Sequence, residues 1–126
     1  SLGGAIAAQC ATEKPAKGVI LESTFASIPA MAREIYPGLP LYLMCSFKYD
    51  TLGKIDRIDA PLLMAASKAD TMVPHEQGKR VFAKAHEPKR WFYLSGDHNA
   101  SGWEVSPEYW NAVQEFIASV LGGGNL

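Results

Sequence analysis

Residues 61–74, PLLMAASKADTMVP, decide how the rest of the chain is read. The run Leu62 to Ala66 is apolar without alternation, as expected of a strand covered on both faces, and such strands belong to parallel sheets. Pro61 opens it, and the polar segment 67–74 closes it. Outward from this stretch lie two more strand candidates, Val19-Ile20-Leu21 after Gly18, and RWFYL at 90–94. Helical patterns alternate with them. Residues 2–12 set Leu2, Ala5, Ile6 and Cys10 at helical spacing, and Pro15 stops that helix. Ser27 and Pro29 start a second helix, with Met31, Ile35 and Ala32 as its inner face. A third spans about 75–86 with Val81, Phe82 and Ala85 inward. The last begins with Ser106 as cap and Pro107 at its first position. Its Trp110, Val113, Phe116, Ile117, Val120 and Leu121 trace one apolar face. Residues 37–60, with Pro37, Pro40 and LYLMCSF, read as short helix and loop. The order α-β-α-β-α-β-α predicts a three-layer α/β fold, a parallel sheet with right-handed crossovers and flanking helices.

The 126 residues suit one small domain. With Lys+Arg 12 against Asp+Glu 13 and a net charge of −1, the chain lacks the basic excess of a nucleic-acid binder. No apolar run approaches the roughly 18 residues of a membrane span. The two cysteines, Cys10 and Cys45, form no CxxC pair and read as small core residues. No His/Cys/Asp/Glu cluster has metal-ligand spacing, so neither a metal nor a cofactor is expected. Residues 122–126, opening on Gly122-Gly123-Gly124, read as a flexible tail.

Chemistry in a parallel sheet gathers at the carboxyl ends of the strands. Three reactive groups fall there: Ser1 before the first helix, Asp70 beyond the second strand and His98 beyond the third. Each has a plain alternative, as a helix cap, a turn residue and a solvated loop histidine. Glu22 and Asp97 compete as the acid, although Glu22 comes one strand early and Asp97 abuts His98, where its side chain would point away from the imidazole. His75 and His86, at the two ends of a helix, are assigned no role.

SLGG at 1–4, KADTMVP at 68–74 and GDHN at 96–99, in that order, resemble the second half of an alpha/beta-hydrolase. LESTFASIPAMAREIYPGLP at 21–40, with His98-Asn99 and Trp103, is similar to the acyl hydrolases of the alpha/beta-hydrolase domain-containing branch, related to the serine-aminopeptidase-like group. The resemblance covers residues 1–121 and implies the C-terminal part of that fold, with a cap-like insertion at about 37–60. It implies Ser1 as nucleophile, His98 as base and Asp70 as its partner, with the Leu2 N–H as one oxyanion donor. Gly3 would let the nucleophile elbow turn tightly, and Gly4 would let the helix pack close to its strand. Phe25 and Trp103 are candidates for an acyl pocket, or else core. Residues 37–49 could cover the pocket, touch a membrane surface or pack as core under a long loop. The implied activity is cleavage of an ester, thioester or amide through an acyl-enzyme.

The glycine and strand that precede the serine in that family, and the first half of the fold, are absent from the 126 residues. The chain therefore reads as a fragment, with a bare sheet edge open to self-association. Two other function classes stay open. One is a non-catalytic half-domain or pseudo-enzyme that pairs this edge with a partner chain. The other takes SLGGAIA as the glycine-rich start of a nucleotide-binding helix.

Overall fold

The computed structural model of the chain describes residues 1–100 and 106–122. The described residues form nine elements. They are α1 (Leu2–Glu13), β1 (Val19–Glu22), α2 (Ile28–Ile35), 3-10 turns at Pro40–Met44 and Ile55–Arg57, β2 (Leu62–Ser67), α3 (His75–Lys84), β3 (Lys89–Leu94) and α4 (Pro107–Gly122). The strands form one parallel sheet in the order β1-β2-β3, pairing Val19 with Leu62 and Leu62 with Lys89 at one end. At the other end Glu22 pairs with Ala65, and Ser67 with Leu94. All six residues of β2 are buried, which is why that strand shows no alternation in sequence.

Two apolar layers cover the sheet. On one side Leu21, Leu62 and Met64 pack with Ala8, Ile55, Ile58 and Val81. On the other, Leu63, Ala65 and Leu94 pack with Tyr109, Val113 and Phe116 of α4. The expected caps form. Ser27 Oγ accepts from Ala30 N–H at 3.1 Å, and Ser106 Oγ accepts from Tyr109 N–H at 3.2 Å. α4 runs through Gly122, one residue into the expected tail; residues 123–126 lie outside the described residues.

Four expected faces are corrected, the first being that of α2, which buries Met31 while Ile35 is exposed. α4 buries Tyr109, Ala112, Val113 and Phe116, whereas Trp110, Ile117 and Leu121 are exposed. The helix is seated by Tyr109, whose hydroxyl donates to Glu22 Oε1 at 2.5 Å, and by Phe116, which lies over Gly18. α1 buries Ala5 and Ala8, while Leu2, Ile6 and Cys10 face outward. Its small residues are what let it lie close to β1. In the 37–49 segment Leu39, Leu43, Met44 and Phe47 are all more than half exposed, and the turn at 40–44 buries nothing. That segment is a surface feature, not core, lying against α2 with Arg33 stacked over the Tyr42 ring. Cys45 is half-buried, its thiol donating to the Leu41 carbonyl at 3.4 Å.

Gly4 shows the closeness required between α1 and the sheet. A Cβ there would meet Thr24 Oγ1 at 1.9 Å, so the helix could not sit where it does. Gly3, by contrast, sits in ordinary helical backbone, and within this chain nothing lies within 4 Å of such a Cβ. Gly4→Ala should lower stability by about 1–3 kcal/mol through overpacking. Gly3→Ala should be neutral or raise stability by up to about 1 kcal/mol. Urea unfolding followed by circular dichroism measures both, and equal effects would contradict this packing.

Candidate active site

All three strands deliver their following loops to one edge of the sheet. After β2, Ser67 Oγ accepts from Ala69 N–H at 3.0 Å and the Ser67 carbonyl from Asp70 N–H at 3.3 Å. This turn folds Asp70 back under the rim, where it is buried. Asp70 Oδ1 then accepts from Met72 N–H at 2.9 Å and Val73 N–H at 2.8 Å, which fixes the carboxylate on its own loop. Oδ2 faces the neighbouring loop. After β3, Gly96 turns the chain at φ 87°, and His98 Nδ1 comes to 2.7 Å from Asp70 Oδ2.

A carboxylate only accepts, so in the neutral imidazole Nδ1 carries the proton and Nε2 is the basic nitrogen. Side-chain exposure is 10% for His98 and 0% for Asp70, so little water competes for the bond. An imidazole held this way can take a proton at Nε2 while the carboxylate stabilises the cation that forms.

Ser1 caps the N-terminus of α1, yet its hydroxyl makes no capping hydrogen bond. Its backbone nitrogen donates to the Glu22 carbonyl at 3.2 Å, which sets the residue at the carboxyl end of β1. Ser1, beside the carboxyl end of β1, thus shares one rim with the loops that carry Asp70 after β2 and His98 after β3. The Leu2 N–H, at the first position of α1, precedes any intrahelical acceptor. Ser23, with φ 47°, turns the chain sharply at the end of β1 and donates its N–H to the Ala65 carbonyl at 2.9 Å.

The competing carboxylates are engaged elsewhere. Glu22 accepts from the Tyr109 hydroxyl, and burial together with that bond raises the phenol's pKa well above its usual value. Asp97 turns toward Thr71 and accepts its N–H at 2.8 Å. Phe25 packs with Ala5, Met31 and Val73 in a small buried cluster. Trp103 lies outside the described residues. His75 sets its ring edge-on to Tyr93, and His86 Nε2 lies 2.7 Å from the Asp56 carbonyl. Among the described residues no group of three or more His, Cys, Asp or Glu could hold a metal ion. No described helix is long and apolar enough to cross a membrane.

Two features had no clear signal in sequence. One is the Asp97–Thr71 link; the adjacency of Asp97 to His98 showed only that the two side chains diverge. The other is Gln77 on α3, fully buried, which accepts from Ala26 N–H at 3.1 Å and donates to Glu34 on α2. It ties the loop after β1 to the helix that follows Asp70.

No protein-family model matches the chain. It is 35% identical over 125 residues to an uncharacterised protein of Mycobacterium tuberculosis, covering 97% of this chain and 44% of that protein. It is 31% identical over 112 residues to the uncharacterised protein YfhR of Escherichia coli strain K12, covering 86% and 39%. The chain therefore spans less than half the length of these curated relatives. Among solved structures, the esterase domain of a Rhodothermus marinus protein superposes with a TM-score of 0.67 at 21% identity, over 94% of this chain and 56% of that one. The monoacylglycerol lipase of Paleococcus ferrophilus gives 0.64 at 20% identity, over 95% and 66%. The chain has part of the alpha/beta-hydrolase fold. An acylaminoacyl peptidase of Pyrococcus horikoshii, TM-score 0.64 at 18% identity, covers 94% of this chain and 23% of its own. The alpha/beta-hydrolase sheet so defined is the frame on which the Asp70–His98 pair is mounted.

The Asp97 carboxyl is held below the usual carboxylate range by Thr71 N–H, then by His98 N–H and the Thr71 hydroxyl. A native pKa below the unfolded value of about 4 gives a contribution that is full above that pH and is lost as pH falls through the native value. The gap in urea midpoint between the wild-type chain and Asp97→Ala should therefore be constant from about pH 7 to 5 and should close below about pH 4. A gap independent of pH would contradict a stabilising role for this charge.

Proposed function

We propose that this chain supplies the catalytic residues of a serine hydrolase that cleaves an ester, thioester or amide through an acyl-enzyme. The observation that carries this reading is the shielded His98–Asp70 hydrogen bond on the same rim as a serine whose hydroxyl caps nothing. Ser1 Oγ attacks the acyl carbonyl while His98 Nε2 takes its proton, and Asp70 stabilises the imidazolium. The tetrahedral oxyanion is met by the Leu2 N–H at the start of α1, where the helix dipole also favours negative charge. Collapse expels the alcohol, thiol or amine with the proton returned from His98. Water then repeats the sequence and releases the acid. No cofactor enters this chemistry. The solved structures of similar fold include an esterase domain, a monoacylglycerol lipase and an acylaminoacyl peptidase, which favours acyl transfer as the reaction class.

In the protein that carries this chain, a fluorophosphonate probe should label Ser1, and Ser1→Ala should abolish labelling. His98→Ala and Asp70→Ala should slow it by about a hundredfold or more, the scale on which such residues contribute. Undiminished labelling of Ser1→Ala would overturn the assignment of the nucleophile.

A second reading, a half-domain that pairs with another chain, draws on the outer edge of β1. Among the described residues no strand pairs there, and the neighbouring face of α1 exposes Leu2, Ile6 and Cys10. On this reading the 126 residues expressed alone should self-associate in light scattering. A soluble monomer over a wide concentration range would count against it.

A further inference from the structure

We propose that Asp97 is a positioning residue, a carboxylate latch that ties the loop bearing Asp70 to the loop bearing His98. Asp97 Oδ1 accepts from Thr71 N–H at 2.8 Å and from His98 N–H at 2.7 Å. The Thr71 hydroxyl lies 2.9 Å from Oδ1 and 3.0 Å from Oδ2, sharing its one proton between them. Thr71 follows Asp70 directly, and Asp97 precedes His98 directly. The bonds therefore close a small ring: Asp70 to Thr71 along the chain, Thr71 to Asp97 through space, Asp97 to His98 along the chain, and His98 back to Asp70 at 2.7 Å.

The latch meets a mechanical need. Asp70 is anchored by the N–H groups of Met72 and Val73, but those bonds lie within its own loop and do not reach the histidine. Gly96, at φ 87°, leaves the approach to His98 intrinsically free to rotate. The Asp97 carboxylate offsets that freedom by gripping the opposite loop, and its hydrogen bonds are charge-assisted. It does so from an exposed position, where its share of global stability is small and its effect on geometry is not. A displacement of about 1 Å in a reacting group can cost about a hundredfold in rate.

This proposal rests on the hydrolase reading, and its test separates the two. In the full-length protein, with p-nitrophenyl butyrate as substrate, Asp97→Ala should lower kcat about 10- to 100-fold with KM changed less than about twofold. Asp97→Asn keeps an acceptor oxygen and should recover most of the rate. Thr71→Val, which removes the hydroxyl but keeps the N–H, should fall between, and Thr71→Ser should match the wild type. The low-field proton NMR signal of the Nδ1–H in the His98–Asp70 bond should be sharp in the wild type and broadened or lost in Asp97→Ala. Wild-type kcat and an intact Nδ1–H signal in Asp97→Ala would overturn the latch, whatever the role of Ser1. Full turnover by Ser1→Ala would overturn Ser1 as the nucleophile, and no turnover by the wild type would overturn the hydrolase reading; in either case the NMR comparison would still decide the latch. Should Asp97→Ala fail to fold, Thr71→Val decides by the same two readouts.

Discussion

The hydrogen bond from His98 Nδ1 to Asp70 Oδ2 can form only because β2 and β3 are parallel neighbours whose last residues are in register. Ser67 pairs with Leu94 across the ladder, so the two loops leave the sheet side by side. Asp70 lies three residues past Ser67, and His98 lies four past Leu94. A shift of one residue in that register would also reverse which face each side chain of β3 presents, and its buried Leu94 would leave the core. The apolar packing of the sheet and the geometry of the polar pair are therefore one constraint. The core does not merely support the rim; it sets the distance across it.

Around this pair polar side chains, buried Gln77 and the exposed Glu22 and Asp97, hold separate parts of the chain together. Gln77 joins α3 to the turn after β1 and to α2. Glu22, the last residue of β1, receives the hydroxyl of Tyr109, the buried aromatic that seats α4. Asp97 joins the second and third loops. Each link joins segments far apart in the chain, so the rim is cross-braced between neighbouring loops and helices. Such braces are short polar side chains because hydrogen bonds are directional, and apolar contact alone leaves a loop free to shift.

Much of the fold is legible in the residues. The unalternating run 62–66, the Ser27 and Ser106 caps and the glycine before β1 each report a local energetic preference, and each element forms where it is expected. The inward faces of the helices are less legible. In α1 the large residues Leu2 and Ile6 suggest an inner face, yet the helix turns Ala5 and Ala8 to the sheet, since only small side chains permit the separation that Gly4 and Thr24 share. In α4 the apolar stripe is broad enough for several rotations. Tyr109 selects one by finding a carboxylate 87 positions away in the chain. Local pattern says that a helix is amphipathic; which edge of the stripe is buried depends on what it meets.

The candidate site divides in the same way. Residue type and order along the chain point to Ser1, Asp70 and His98, because strand ends recur at intervals that sequence periodicity reveals. Neither periodicity nor order tells where a carboxylate points. Asp70 and Asp97 lie within two loops of each other and are chemically identical, yet one faces the imidazole and the other grips Thr71. By itself the sequence determined the parallel α/β layering and the rim on which reactive groups gather, since both follow from short-range pattern and backbone preference. Only the tertiary structure decided which acid pairs with His98, because that choice is made by turn geometry and by contacts between residues far apart in the chain.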